Sequence, residues 1–147
     1  MSKGTDKFVV YIVDDDDSVR HALSRLMRAS DMAAEAFATP EDFLQAVTPS
    51  SRGCVLLDIT MPRMTGLEAQ SRMKVMGIHL PVIAVSARES DDVREAARAL
   101  GASFFLHKPV DGQALLDAIG WLTDARQERE PTAKRQAGGE HPRVAGE

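Results

Sequence analysis

Val9-Val10-Tyr11-Ile12-Val13-Asp14-Asp15 is an apolar run of strand-like composition that stops at two acids, and Val55-Leu56-Leu57-Asp58 repeats the pattern. Side chains alternate between the two faces of a sheet, so an apolar run with no polar gap reads as a strand covered on both sides. In a parallel sheet all strands end at the same edge, which brings Asp14, Asp15 and Asp58 into one crevice. Three carboxylates at close range repel, and proton uptake or a cation must relieve them. Oxygen ligands suit a hard cation such as Mg²⁺. The reading that follows is an open α/β sheet with an acidic, metal-dependent site at its carboxyl edge.

Outward from that run the chain alternates. Residues 8–13 form the first predicted strand, broken by Asp14-Asp15-Asp16-Asp17. Val19, Ala22, Leu23, Leu26 and Met27 recur at helical spacing, with Arg20, Arg25 and Arg28 filling the other face. Asp17 is expected to help cap this helix, leaving Asp16 solvated. Residues 33–37 read as a weak second strand. Thr39-Pro40-Glu41-Asp42 is a helix start, with a Thr cap, a Pro in the first turn and acids near the positive end of the dipole. Its short helix carries Phe43, Leu44 and Val47 and ends over 49–53. The third strand covers 54–57. A loop at 61–66 leads to a helix over 67–76 that Gly77 stops. A fourth strand (82–85), a helix (91–100, stopped by Gly101) and a fifth strand (103–106) follow. The last helix starts at Asp111 and aligns Leu115, Ile119 and Leu122. Strand and helix alternate five times, which predicts a parallel sheet with helices on both faces and right-handed crossovers. Ligands of such sheets bind outside the carboxyl ends of the strands, at the switch point.

Composition narrows the function. The 147 residues suit one domain and a short tail, and 44% hydrophobic content suffices for a core. The net charge of -4 argues against nucleic-acid binding by this chain, since phosphate contacts need a basic face. No apolar run approaches the roughly 20 residues of a membrane span, and the first residues lack the apolar core of a signal peptide. The lone Cys54 fits a reducing, cytoplasmic setting and reads as a buried thiol. His21, His79 and His107 show no metal spacing, and Trp121 on the last helix reads as core or interface. Residues 1–6 are expected to be flexible. From about Arg126 the apolar pattern fails, so 126–147 reads as a disordered polar tail or linker with roughly balanced charge.

The strand ends supply the chemistry. The first gives Asp14 and Asp15, the third Asp58, the fourth Ser86 and the fifth Lys108. Carboxylates that hold a cation leave it able to neutralise a phosphoryl oxygen. Lys108 can bind a second such oxygen as a point charge, and Ser86 can donate to a third. Asp58 is then placed as a nucleophile, because carboxylates form aspartyl-phosphate intermediates.

Tyr11-Ile12-Val13-Asp14-Asp15, Leu57-Asp58-Ile59-Thr60-Met61-Pro62 with Gly66 following, Val85-Ser86-Ala87 and Leu106-His107-Lys108-Pro109 resemble the receiver domain of two-component response regulators, most similarly the FixJ-like group. Each motif alone is weak; all four in order and at the family's spacing are specific. The resemblance covers about Lys7 to Thr123, and places the domain at 7–125. It implies a doubly wound (βα)5 flavodoxin-like three-layer sandwich with a parallel five-stranded sheet of order 2-1-3-4-5. It implies that Asp58 accepts a phosphoryl group from a histidine kinase or phosphotransfer protein, with no turnover of an external substrate. Asp15, Asp58 and the Thr60 carbonyl would hold Mg²⁺, with Asp14 acting mostly through water. Lys108 and Ser86 would contact the phosphoryl group, Phe105 would be the aromatic switch coupled to Ser86, and the Lys108–Pro109 bond would be cis. Arg88 and Thr60 lie where the family tunes dephosphorylation. The face of the fourth helix, fifth strand and fifth helix would change shape and bind a partner or a second copy.

Other readings remain beside it. The chain can be a stand-alone receiver or the N-terminal piece of a longer DNA-binding regulator. It can be a degenerate receiver that only binds proteins. An aspartate-nucleophile phosphatase or phosphomutase usually has a second Asp two residues after the first, where this chain has Thr60. A flavin-binding module would need a phosphate loop after the first strand, which is missing here.

Overall fold

A computed structural model describes residues 7–60, 64–87 and 91–128. Its strands are β1 (Val9–Val13), β2 (Ala33–Phe37), β3 (Gly53–Asp58), β4 (Val82–Ser86) and β5 (Ala102–His107). Its helices are α1 (Asp17–Ala29), α2 (Pro40–Ala46), α3 (Gly66–Met76), α4 (Asp91–Ala99) and α5 (Gly112–Glu128). All neighbouring strands are parallel, in the order β2-β1-β3-β4-β5. This is the predicted doubly wound sheet. Every residue of β1, β3 and β4 is buried, as their unbroken apolar runs require. The edge strands β2 and β5 mix exposed with half-buried residues, which explains why 33–37 was the weakest strand signal.

The period of two along each strand sorts the core into two layers. Val10, Ile12, Cys54, Leu56 and Ile83 face Leu23 and Met27 of α1 and Leu115 and Ile119 of α5. Val9, Tyr11, Val13, Val55 and Leu57 face Phe43 and Leu44 of α2 and Ala69 and Met73 of α3. Ala84 and Phe105 continue this second layer toward Ala97 of α4. Tyr11, Phe37 and Phe43 form an aromatic trio with ring centroids 5.7–6.5 Å apart. Such pairs add about 0.5–1.5 kcal/mol each beyond the area they bury. Cys54 is fully buried, and burial pushes its thiol pKa up to about 12, the inert thiol expected.

Local signals act largely as read. Thr39 caps α2 by accepting from the Asp42 N–H, with Pro40 opening the helix. Thr65 and Glu68 form a reciprocal capping box on α3, and Gly77 closes that helix at φ 76°. Two expectations are corrected. Asp16, not Asp17, caps α1: its Oδ1 accepts from the N–H groups of Ser18 and Val19, while Asp17 already lies inside the helix. The extended Asp16 backbone lets its side chain reach the free amides, which one position later point along the helix. The last helix also runs to Glu128, past the boundary set at 125, because residues with good helix propensity can continue a helix after the apolar periodicity has ended. The expected flexible residues 1–6, the loop residues 61–63, Arg88 and the tail from 129 onward lie outside the described residues.

Candidate functional site

The crossover from β1 leads through α1 to β2, and that from β3 through α3 to β4, on opposite sides of the sheet. Their carboxyl ends therefore frame a crevice that no connection covers. Asp14 follows β1, and its N–H donates to the Phe37 carbonyl (3.1 Å). Asp58 is the last residue of β3, in register with Val85. Gly66 lets the chain pass behind it, since a Cβ there would stand 2.5 Å from the Ile59 Cα and 2.6 Å from the Asp58 carbonyl oxygen.

The sequence motifs converge here. One carboxylate oxygen each from Asp14, Asp15 and Asp58 lies within 4.8 Å of the others. Asp14 and Asp58 are each only 3% exposed, whereas Asp15 is open to solvent. Lys108 Nζ bridges them, 2.9 Å from Asp14 Oδ2 and 3.2 Å from Asp58 Oδ2. Asp14 Oδ1 accepts from the Asp16 N–H (2.9 Å). Asp58 Oδ1 accepts from both the N–H and the hydroxyl of Thr60, each at 3.0 Å. Lys108 is placed by its own N–H, which donates to the Ser86 carbonyl (2.8 Å), and the Lys108–Pro109 peptide is cis. Among the described residues this is the one group of three or more His, Cys, Asp or Glu side chains placed to share a cation. His21, His79 and His107 are exposed and take no part in it.

Burial raises the Asp14 pKa above the usual carboxylate value, and Asp58 adds to this; the Asp16 N–H and Lys108 oppose them without cancelling them. Burial alone would lower the Lys108 pKa, but the Asp14 hydrogen bond and the charges of Asp58 and Asp14 outweigh it and raise it. Lys108 thus stays protonated. Three carboxylates against one ammonium leave two negative charges uncompensated within the cluster. An all-carboxylate donor set with surplus charge fits a hard divalent cation.

The Asp14 shift has a consequence for stability. A carboxyl group with a raised folded pKa favours folding while protonated. That contribution falls as pH rises from the ordinary Asp value through the raised one, and the penalty is complete above it. Asp14→Asn should therefore stabilise the cation-free protein at pH 7. The gain should shrink as pH falls through this window toward the ordinary Asp value. Urea unfolding in EDTA at neutral and acid pH measures it; a less stable Asn variant at pH 7 would show that the Lys108 pair outweighs the repulsion.

The remaining candidates sit around the cluster. Ser86 ends β4, fully buried and in register with His107. Phe104 and Phe105 point to opposite faces: Phe104 joins the α1/α5 layer, and Phe105 packs with Ala84 and Ala97, with the Arg94 guanidinium carbon 4.9 Å from its ring centroid. Phe105 is not in the acidic cluster itself. Arg20, assigned by periodicity to the polar face of α1, folds back instead. Its Nη1 donates to the Asp14 carbonyl (2.7 Å), and its Nη2 pairs with Asp17. The i, i+3 spacing from Asp17 was the available signal.

Comparison with known proteins identifies this arrangement. The family model of the response regulator receiver domain matches residues 10–120. The chain is 34% identical over 139 residues to the transcriptional regulatory protein FixJ of Azorhizobium caulinodans, covering 93% of this chain and 64% of that protein. It is 40% identical to the response regulator protein TodT of Pseudomonas putida, covering 76% of this chain and 49% of the relative. The chain thus spans about half to two thirds of the length of these relatives. The crystal structure of FixJ-N superposes with a TM-score of 0.71 at 28% identity, over 86% of this chain and 97% of that one. No helix among the described residues is long and apolar enough to cross a membrane. With its strand order, its acidic crevice and the match over 10–120, the chain belongs to the response regulator receiver domain family of two-component systems, in its FixJ-like group.

Proposed function

We propose that this chain is a phosphorylation-controlled signalling switch of the cytoplasm, with Asp58 as the residue that accepts a phosphoryl group from a histidine kinase or phosphotransfer protein. The observation that carries this reading is the pairing of a buried strand-end carboxylate, Asp58, with Lys108 Nζ at 3.2 Å and two more carboxylates within ligand reach. An Asp58 oxygen attacks phosphorus while the bond from phosphorus to the donor's nitrogen or oxygen breaks and the leaving group takes the electron pair. Asp15, Asp58 and the Thr60 carbonyl would hold Mg²⁺, with Asp14 beside them through water. Bound Mg²⁺ would neutralise charge on the phosphoryl oxygens. Lys108 swings from its carboxylate partners to a phosphoryl oxygen at little cost, since its ammonium already stands there charged.

Ser86 donates to a further phosphoryl oxygen, and its displacement frees room beside β4 for Phe105 to turn inward. The outcome is a shift between two arrangements of the face made by α4, β5 and α5, set by the contacts each makes with phosphate. That face then takes a partner or a second copy; Trp121 on α5, 44% exposed, offers an aromatic anchor for either. We take the folded unit over 7–128 as the receiver. The length of the relatives, whose names include transcriptional regulators, favours a receiver that serves a DNA-binding output elsewhere in a longer protein.

The test is labelling by acetyl phosphate with and without Mg²⁺, in wild type and Lys108→Ala. Wild type should gain one acid-stable, base-labile phosphoryl group that EDTA prevents. Lys108→Ala should accept it about 10²-fold more slowly. Its Mg²⁺ affinity should be retained or increased, because the substitution removes a competing cation from the cluster. Collapse of Mg²⁺ binding in this variant, or labelling of wild type that ignores EDTA, would refute these roles.

A further inference from the structure

The three carboxylates of the cluster are not held alike. Asp14 is fixed by the Asp16 N–H and Lys108, and Asp58 by Thr60 and Lys108. Asp15 is exposed, and among the described residues no hydrogen bond or ion pair to its carboxylate is found. Its direction depends on the backbone that presents it. The peptide group before Asp15 has the Asp14 carbonyl as its acceptor, and that carbonyl receives Arg20 Nη1 at 2.7 Å. The same guanidinium holds Asp17 through Nη2, so one planar fork grips the acidic loop at both ends. The Arg20 backbone completes the grip, its N–H donating to the Asp16 carbonyl at 3.0 Å. The Arg20 side chain is only 17% exposed, a half-buried clamp and not a solvated charge.

We propose that Arg20 is a positioning residue for the cation site: by fixing the Asp14 carbonyl it sets the peptide plane from which Asp15 reaches the cluster. The inference rests on the functional reading above and adds a role for Arg20 that none of the four motifs contains. Two effects of this residue oppose each other. Its positive charge near three carboxylates disfavours a cation, although Asp17 offsets much of that charge. Its clamp favours a cation by pre-ordering a ligand whose carboxylate has no other partner among the described residues. The short charged hydrogen bond to a peptide carbonyl makes geometry the larger of the two.

The sign of the change separates the two. Mg²⁺ affinity is measured by isothermal titration calorimetry on wild type, Arg20→Ala, Arg20→Lys and Asp17→Asn, with folding of each verified by circular dichroism. Arg20→Ala should bind Mg²⁺ about tenfold more weakly. Arg20→Lys, which keeps the charge and one of the two contacts, should recover part of the loss. Asp17→Asn, which leaves the Asp14 contact in place, should stay within about twofold of wild type, as expected for a surface charge. Tighter binding by Arg20→Ala, or unchanged binding, would overturn the positioning role and leave Arg20 a local counter-charge. If Arg20→Ala does not fold, Arg20→Lys decides alone: affinity equal to wild type would overturn the proposal, since a single ammonium cannot reproduce the fork. Failure of wild type itself to bind Mg²⁺ would instead refute the functional reading on which the inference stands.

Discussion

Asp58→Asn is expected to lose phosphoryl acceptance by a factor of about 10³ or more, while folding as well as wild type. The amide keeps the shape of the side chain but lacks its negative charge, and its oxygen is a far weaker nucleophile toward phosphorus than a carboxylate. It can still accept the two Thr60 donors at Oδ1 if the amide oxygen takes that place. Its NH₂ would then face Lys108, which would turn wholly to Asp14, 2.9 Å away. The cluster loses one negative charge, so Mg²⁺ affinity should also fall. Phosphoryl transfer followed by gel retardation or by mass, with urea unfolding in parallel, measures both halves. Retained labelling would show that a different residue is the acceptor.

The second large effect lies outside the site. Gly53→Ala should destabilise the domain by about 4 kcal/mol or more, which places it among the most damaging single changes a domain of this size meets. Gly53 opens β3 at φ 142°, a backbone conformation that side-chain-bearing residues rarely adopt. An added Cβ would stand 1.8 Å from the Val9 carbonyl oxygen and 2.8 Å from the Val9 nitrogen. Those are backbone atoms of β1, in register with Gly53, so no side-chain rotation relieves the clash. The two central strands would have to separate at their amino ends. Gly101 provides the control. It also has positive φ, at 104°, but nothing lies within 4 Å of its added Cβ. Gly101→Ala should cost only the backbone term, about 1 kcal/mol. Urea midpoints of the two variants separate contact from conformation, and a Gly53 variant no worse than the Gly101 variant would contradict the tight β1–β3 junction.

Much of this architecture is legible in the chain because its central strands are covered on both faces. Burial on two sides forces the unbroken runs at 9–13, 54–57 and 82–85, and those runs in turn require helices above and below. Ala33–Phe37 was faint for the converse reason: an edge strand exposes Glu35 and Ala36 and needs no continuous apolar pattern. The cap of α1 was misplaced by one residue because four consecutive aspartates have equal capping chemistry. Only the backbone turn, extended at Asp16, selects among them. The helix end at Glu128 is not legible because the sequence from Arg126 to Glu128 carries no apolar period to read.

The site shows the same division. Asp14, Asp15, Asp58 and Lys108 converge because each ends or follows a parallel strand, and strand ends can be counted along the sequence. What fixes them is less readable. The Thr60 hydroxyl on Asp58 Oδ1 and the Arg20 guanidinium on the Asp14 carbonyl depend on loop conformation and rotamer, neither of which periodicity encodes. Arg20 looked like part of a polar helix face because its spacing places it there. Its length then lets it reach back over the first turn to the loop. The separation of Phe104 from Phe105 follows from strand alternation, but which of the two faces α4 needs the layer assignment of Ala84 and Ala97.

The most direct test of the phosphoacceptor at Asp58 is to place the phosphoryl group on a residue. Wild type is incubated with acetyl phosphate and Mg²⁺, the acyl phosphate is trapped by borohydride reduction, and the peptides are sequenced by tandem mass spectrometry. One modified site, Asp58, converted to homoserine and absent when EDTA is present, is the predicted result. Modification at Asp14, Asp15 or any serine in its place, or none at a Mg²⁺ concentration that saturates the protein, would contradict it.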